Sequence, residues 1–311
     1  MKRALFIAGP TAGGKSAFAL KAAQEYNGVI INADSMQVYR DLNVISACPS
    51  EQEEQLAPHR LYRFLDGAET CSAAFWAERA MQEIDAVWSD GKLPILVGGT
   101  GMYFKVLLDG IAKVPEIPEE IRQEVRRQCS EVGSAALYAE LLQTDPVIAK
   151  RLAPGDSQRI SRAIEVERAT GTPLSEWQTQ TEPGAMQAFD ENGSIRKFVL
   201  LPDREVLYDR CNKRFDLMLE QGGMAEIEGL LKRQLPSELP VMRALGVPSL
   251  ISYLEGSMTL EQASEDAKMQ TRRFAKRQLT WFRNQFSHWN TLHAQYSESY
   301  FDNLVAKLFA K

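Results

Sequence analysis

Gly9-Pro10-Thr11-Ala12-Gly13-Gly14-Lys15-Ser16 fits the phosphate-loop pattern G-x-x-x-x-G-K-[ST] at every fixed position. Ahead of it, Ala4-Leu5-Phe6-Ile7-Ala8 is a short apolar run of buried-strand type, and Ala17-Phe18-Ala19-Leu20-Lys21-Ala22-Ala23 behind it reads as a helix. A strand feeding a glycine-rich loop that opens a helix aims several backbone N–H groups, and the positive end of the helix, at one anion. Lys15 adds a point charge for a terminal phosphate, and the Ser16 hydroxyl suits Mg²⁺. Gly9, Pro10, Thr11, Ala12, Gly13, Gly14, Lys15 and Ser16 are therefore expected to bind a diphosphate or triphosphate. The loop alone does not say which chemistry follows.

Further apolar runs extend the pattern. Val29-Ile30-Ile31 leads into Asn32-Ala33-Asp34-Ser35, Leu93-Pro94-Ile95-Leu96-Val97 leads into Gly98-Gly99-Thr100-Gly101, and Phe198-Val199-Leu200-Leu201 ends at Pro202. Short strands alternating with helices predict an α/β fold with a parallel sheet and ligands at the carboxyl ends of its strands. Between about Pro115 and Pro183 the strand signals vanish and charged, helical text takes over. Residues 114–189 are thus expected to form a helical insertion. Residues 1–113 and 190–311 would form the core with C-terminal helices.

The 311 residues are ample for a sizeable buried core, and 44% hydrophobic with 25% charged residues is an ordinary globular composition. A net charge of −5 argues against wholesale coating of a nucleic acid while leaving room for a local basic patch. The wide spacing of Cys48, Cys71, Cys129 and Cys211, with three histidines in the chain, argues against a zinc centre or a disulfide framework and fits a reducing cytoplasm. Lys2-Arg3 and the following apolar run resemble a signal peptide, but Gly9-Pro10 stops the run too early. No stretch approaches the roughly 20 apolar residues that span a bilayer. A cytoplasmic protein with no membrane partner is expected.

Phosphate-loop ATPases and GTPases usually carry an acid at the end of a neighbouring strand to hold Mg²⁺. Here Val97 is followed by Gly-Gly-Thr-Gly, and the nearest strand-end acid is Asp34, after the second run. Asp34 alone could be a turn aspartate, and Thr100 alone could be a turn residue. Together, an acid and a hydroxyl at strand ends beside a phosphate loop suggest the second half of a site.

These residues carry a family resemblance. The phosphate loop, Asn32-Ala33-Asp34-Ser35-Met36-Gln37-Val38-Tyr39, Gly98-Gly99-Thr100-Gly101-Met102-Tyr103, Gln158-Arg159-Ile160-Ser161-Arg162-Ala163, Arg210-Cys211-Asn212-Lys213-Arg214-Phe215 and Ala275-Lys276-Arg277-Gln278-Leu279-Thr280-Trp281 occur in the order seen in tRNA dimethylallyltransferases. The resemblance spans nearly the whole chain. It implies a P-loop NTPase-like parallel sheet core with an inserted helical domain. It also implies transfer of a dimethylallyl group from dimethylallyl diphosphate to N6 of the adenine 3′-adjacent to the anticodon of tRNA. Two departures concern tRNA contacts: Met36 stands where an arginine is usual, and Val44-Ile45-Ser46-Ala47-Cys48-Pro49 replaces a segment that normally carries glycine, threonine and lysine.

The chemistry gives these residues roles. Adenine N6 is a poor nucleophile because its lone pair is delocalised into the ring, so a carboxylate at Asp34 that removes a proton during attack acts as general base. Negative charge grows on the departing diphosphate, where loop amides, Lys15, Mg²⁺ at Ser16 and an arginine such as Arg214 oppose it. By resemblance Thr100 hydrogen-bonds near the target base, which must leave its stack to reach the site. Catalysis is therefore expected from Asp34, Thr100 and Arg214. The resemblance implies contacts to the tRNA from Asp34, Ser35, Met36, Gln37, Thr100, Arg122, Gln158, Arg159, Ile160, Ser161, Arg162, Arg273, Lys276 and Arg277.

Gly155-Asp156-Ser157 caps a predicted helix running to Gly171, in which Gln158 and Arg162 share a face while Ile160 and Ile164 point inward. Arg272, Arg273, Lys276, Arg277 and Arg283 form a basic stripe interleaved with Phe274, Trp281 and Phe282, aromatics that serve either nucleic acid or core. The expected partners are the anticodon stem-loop of tRNA and dimethylallyl diphosphate, with Mg²⁺ as cofactor and a monomeric enzyme. Rival readings are an ATP-using kinase, a non-catalytic RNA-binding protein with a relic loop, and a transferase acting on free adenine nucleotides. The strand-end Gly-Gly-Thr-Gly, the intact Lys15, Ser16 and Asp34, and the helical insertion speak against the three in turn.

Overall fold

The computed structural model describes residues 2–293, 303–306 and 308–309. The chain divides into two compact units, one formed by Met1–Leu107 with Met186–Lys311 and the other by Leu108–Ala185. The first division falls a few residues before Pro115, because the chain leaves the core in the last turn of a helix, and the second falls just after Pro183-Gly184 and four residues before the expected bound at 189.

The first unit is built on a parallel sheet of strands β1 (Ala4–Ala8), β2 (Gly28–Asn32), β3 (His59–Arg60), β4 (Leu93–Gly98), β5 (Ile195–Leu200) and β6 (Asn290–Leu292). Their spatial order is β3-β2-β4-β1-β5-β6. From β1 the chain builds one side of the sheet and then returns to add β5 and β6 on the other. The carboxyl ends of β1, β2 and β4 therefore meet where the winding reverses, the place at which such sheets hold ligands. β1, β2 and β4 are buried at every residue, which explains their unbroken apolar text. β3 and β6 escape sequence reading because two and three residues give no periodicity.

Helices α1 (Lys15–Glu25), α2 (Glu51–Leu56), α3 (Ala73–Ser89) and α4 (Gly101–Asp109) follow the early strands. Phe18, Ala19, Ala22 and Ala23 of α1 pack with Leu5, Ile7, Ile30, Ile95 and Phe198 on one face of the sheet. Trp76 of α3 is fully buried, stacks on Tyr103 at 4.1 Å and donates its indole N–H to Asn32 O at 2.9 Å.

The second unit contains α5 (Glu119–Val132), α6 (Ser134–Thr144), α7 (Pro146–Ala149), α8 (Ser157–Thr170) and α9 (Leu174–Thr179). Its own core joins Val125, Leu137, Leu141, Ile148, Ile160, Ala163 and Ile164. Asp156 caps α8 by accepting from Arg159 N, and Gly171 ends it in the left-handed conformation.

The chain then completes the first unit with α10 (Gln187–Glu191), α11 (Arg204–Glu220), α12 (Gly223–Lys232), α13 (Val247–Leu254) and α14 (Leu260–Gln285). α14 starts with a capping box, Thr259 and Gln262 exchanging side-chain and backbone bonds. It buries Ala263, Ala267, Thr271, Ala275, Gln278, Leu279 and Phe282 on one stripe.

Candidate active site

A cavity of about 680 Å³ in the first unit is lined by Thr11–Ala17, Asp34, Gln37, the 43–50 loop, Tyr62, Gly98 and, from α11, Arg210, Lys213 and Arg214. The phosphate loop forms one wall. Gly14 adopts φ 87°, and this left-handed residue turns the chain into α1 so that Lys15 and Ser16 open the helix. Lys15 Nζ donates to Pro10 O at 2.8 Å, which holds the ammonium over the loop. Ser16 stays exposed at the helix start.

Arg214 comes to the same loop from α11, its Nη2 donating to Thr11 Oγ1. Burial pushes the Lys15 ammonium down to about 8; Asp34 opposes the fall and Arg214 adds to it. Burial likewise lowers Arg214, against the pull of Cys211 and Asp34. Two desolvated cations beside loop amides make a cradle that gains by holding an anion with several charges. Their shared electrostatic coupling to Asp34 places a carboxylate within the same field.

Asp34 is fixed by its own turn. Its Oδ1 accepts from Met36 N at 3.0 Å, while its N–H donates to Asn32 Oδ1 at 2.8 Å. Fully buried Asn32 also donates through Nδ2 to Leu61 O and to Asp34 O, each at 3.0 Å. The turn role and the cavity role of Asp34 thus coexist: one oxygen holds the turn while the carboxylate lines the cavity. Thr100 Oγ1 accepts from Ser35 N at 2.9 Å and donates to Ser35 Oγ at 3.2 Å, tying the strand ends of β2 and β4 together. Gly98 is required here, since a β-carbon on it would stand 1.9 Å from Ala33 O.

Other expected contacts fall differently. Ser35 and Met36 are half-buried beside Asp34. Gln37 Nε2 is committed within the protein, donating to Ser46 O at 3.1 Å and to Ala47 O at 2.6 Å. The loop it holds is the one that departs from the resembled family. Glu226 of α12 secures the other side of that loop, accepting from the N–H groups of Asn43, Val44 and Ile45 at 2.7–3.0 Å.

In the second unit, Gln158 and Arg159 are exposed, and Arg162 lies 3.7 Å from Glu165. Ile160 is a correction: it is buried in the unit's apolar core, because helical spacing turns it away from the face of 158 and 162. Ser161, three residues on from Gln158, lies at the edge of that face and is 9% exposed. Arg122 pairs with Glu119 at 3.9 Å, and its Nε is buried with no partner. On α14, Arg273, Lys276 and Arg277 are exposed, with Arg277 over the Phe274 ring at 5.7 Å. Phe282 is buried and Trp281 packs on Gly101, so these two aromatics belong to the core.

No group of three histidine, cysteine or carboxylate side chains among the described residues could hold a metal by itself. The donor set fits Mg²⁺ held by the Ser16 hydroxyl together with diphosphate oxygens and water, the usual arrangement for this ion. Sequence reading overlooked Asn32, Glu226 and Gln278, whose roles arise from tertiary meetings; Asn32 and Gln278 lay in quoted motifs without a role of their own, and Glu226 lay outside them.

A parallel α/β sheet with a phosphate loop after β1, a cationic helix opposite it and a carboxylate just beyond β2 places the chain in the phosphate-loop class of proteins. The family model described as IPP transferase matches residues 37–285. The chain is 47% identical to the tRNA dimethylallyltransferase of Rhodopseudomonas palustris over 302 residues, covering 97% of this chain and 93% of the relative. The full-length tRNA isopentenylpyrophosphate transferase of Bacillus halodurans superposes with a TM-score of 0.67 at 30% identity, covering 98% of this chain and 95% of that one. A eukaryotic dimethylallyltransferase captured acting on tRNA gives a TM-score of 0.74 at 29% identity, over 91% of this chain and 70% of its own. The chain belongs to the IPP transferase family.

Proposed function

We propose that this chain transfers a dimethylallyl group from dimethylallyl diphosphate to N6 of the adenine 3′-adjacent to the anticodon of tRNA, releasing diphosphate. The observation that carries the reading is one cavity holding both the Lys15–Arg214 cradle and the Asp34 carboxylate. Donor and acceptor chemistry need those two halves together.

In the reaction the N6–C1 bond forms as the C1–O bond to diphosphate breaks, and the electron pair of that bond leaves on the diphosphate. The N6 proton passes to Asp34. Lys15, Arg214 and the loop amides receive the growing negative charge. Bound Mg²⁺ at Ser16 would neutralise part of the diphosphate charge. No phosphoryl group moves, so the site needs no side chain to activate a water. Thr100 and Ser35 keep the strand ends joined where the base enters.

The tRNA is held through its anticodon stem-loop by Gln158, Arg159 and Arg162 of α8, by Arg122 of α5, and by Arg273, Lys276 and Arg277 of α14. Residues of 114–189 act as the tRNA-binding insertion. The whole donor site lies in one unit of one chain, so a monomer suffices. No helix among the described residues is long and apolar enough to cross a membrane, and the reaction belongs where tRNA is, in the cytoplasm.

Incubation with labelled dimethylallyl diphosphate and either unmodified tRNA or AMP tests the reading. Label in the tRNA adenine supports it. Label in AMP alone, or consumption of ATP with no prenyl transfer, overturns it.

A further inference from the structure

We propose that Gln278 is a positioning residue that sets the distance between the diphosphate side and the base side of the reaction, an inference that rests on the function proposed above. Gln278 lies on the buried stripe of α14 and is only 7% exposed. Its Oε1 accepts from Thr11 N at 2.8 Å and its Nε2 donates to Gly99 O at 2.9 Å. Thr11 N–H can only donate and Gly99 O can only accept, so the amide has a single orientation that satisfies both.

One side chain therefore bolts the phosphate loop to the turn after β4. The two ends of this bolt are the two halves of the site. Thr11 also receives Arg214, so the loop end carries the cationic cradle. Gly99 precedes Thr100, and a β-carbon on Gly99 would lie 3.2 Å from Asp34 Oδ2 and 2.6 Å from Gln278 Nε2. The base side is thus closed around the same amide.

Below the site, the β1–β4 ladder already sets Ala8 beside Gly98; beyond the strand ends the named side chains each serve one half. Lys15 and Arg214 hold the loop, while Asn32 and the Thr100–Ser35 pair hold the acid. Gln278 joins them. It does so from a helix whose other face presents Arg273, Lys276 and Arg277. A group that transfers charge across a fixed gap is sensitive to small misplacement, and a shift of about 1 Å costs on the order of 100-fold in rate.

Two variants separate positioning from a merely structural role. Gln278→Met keeps length and packing but loses both polar ends. It is expected to slow single-turnover prenyl transfer by about 100-fold at saturating substrates, with dissociation constants for dimethylallyl diphosphate and tRNA within a few-fold of parental. Gln278→Glu keeps an acceptor for Thr11 N–H but sets an oxygen against Gly99 O and a second carboxylate beside Asp34. A like charge disfavours ionisation of Asp34, so the acid limb of its single-turnover pH profile should move to higher pH.

Gln278→Glu carries the test should the methionine variant not fold. Transfer by a folded Gln278→Met within threefold of parental overturns the inference and leaves the reaction standing. An unmoved acid limb with parental turnover in Gln278→Glu does the same. A parental protein that transfers no prenyl group to tRNA instead overturns the reaction on which the inference rests.

Discussion

The indole of Trp281 occupies the space that a β-carbon on Gly101 would need, its Cζ3 standing 1.9 Å from that position. Trp281 in turn meets Phe282 at 5.3 Å and Phe286 at 5.2 Å, so it cannot swing away without disturbing a packed aromatic group. The glycines of Gly98-Gly99-Thr100-Gly101 are thus separate demands: backbone of Ala33 at Gly98, Gln278 at Gly99, Trp281 at Gly101. The motif is written by packing as much as by chemistry.

Stability should follow. Gly98→Ala and Gly101→Ala force overpacking against atoms that cannot yield, and each should cost about 1–3 kcal/mol or more. Gly229 sits in α12 with open space around it and no unusual φ. Gly229→Ala should stabilise by about 0.5–1 kcal/mol through helix propensity. Denaturant unfolding of the three variants checks both signs at once; equal stability for Gly98→Ala and the parent would show that the β2–β4 junction yields.

Asp34→Asn isolates the proton transfer. The asparagine oxygen still accepts from Met36 N–H, so the turn is kept while the base is lost. Single-turnover transfer should fall by roughly 10²–10⁴-fold, with affinity for tRNA near parental. Rates within a few-fold of parental would remove Asp34 from the role of base.

Lys15 gives a pH signature with a definite sign. Its ammonium is held down to about 8 from the ordinary 10.5, by burial first and by Arg214. Between those values the folded chain binds fewer protons than the unfolded one, so this group's contribution to stability rises with pH through that window. A bound diphosphate favours the charged form and reverses the shift. Diphosphate affinity should therefore be greatest below about pH 8 and fall above it, with proton uptake on binding at pH 9. Calorimetry in two buffers of different ionisation enthalpy measures that uptake. Lys15→Arg, charged throughout, should abolish it; uptake unchanged in this variant would assign the proton elsewhere.

How much of this was legible in the sequence depends on the range of the interaction. The phosphate loop, the strands β1, β2 and β4, and the cap and stop of α8 are local, and their residues announce them. Asp34 was visible as a strand-end acid, but its clamp, Asn32, was not, because that role depends on Leu61 and Trp76 from other elements. Gln278 looks like any polar residue of a basic helix until Thr11, 267 positions away, closes on it. Ile160 sits inside a motif of recognition residues yet is wholly buried, as the helical spacing of Ile160 and Ile164 indicates; motif order alone says nothing about which face of a helix a member occupies. Gln37 shows the same limit, since its partners Ser46 and Ala47 lie in a loop whose path no periodicity encodes.

Recognition of tRNA can be separated from donor binding by removing or reversing charge. Arg159 is 70% exposed at its side chain and pairs with its own helix cap, Asp156, at 3.0 Å. Arg162 leans on Glu165, whose carboxyl is pushed up by burial against the pull of Arg162, Arg126 and Arg122. The Arg159–Asp156 pair is exposed and contributes little to stability, while Glu165 is buried and tolerates a neutral neighbour better than a second carboxylate, so Arg159→Glu with Arg162→Gln should leave the fold intact. The same holds for Arg273→Glu with Lys276→Glu on the exposed face of α14. A cation that neutralises a phosphate releases counterions, so each double variant should weaken tRNA binding and flatten its salt dependence, by about one unit of slope for every phosphate left unneutralised. Affinity for dimethylallyl diphosphate should not change, because none of the four residues lines the donor cavity. Reversing Glu51 and Glu54 to lysine serves as the control and should matter far less. A chain of net charge −5 must gather its positive charge locally to bind a polyanion. If both double variants keep parental tRNA affinity and the parental salt slope, these two helices are not the footprint, and a free adenine nucleotide becomes the better acceptor.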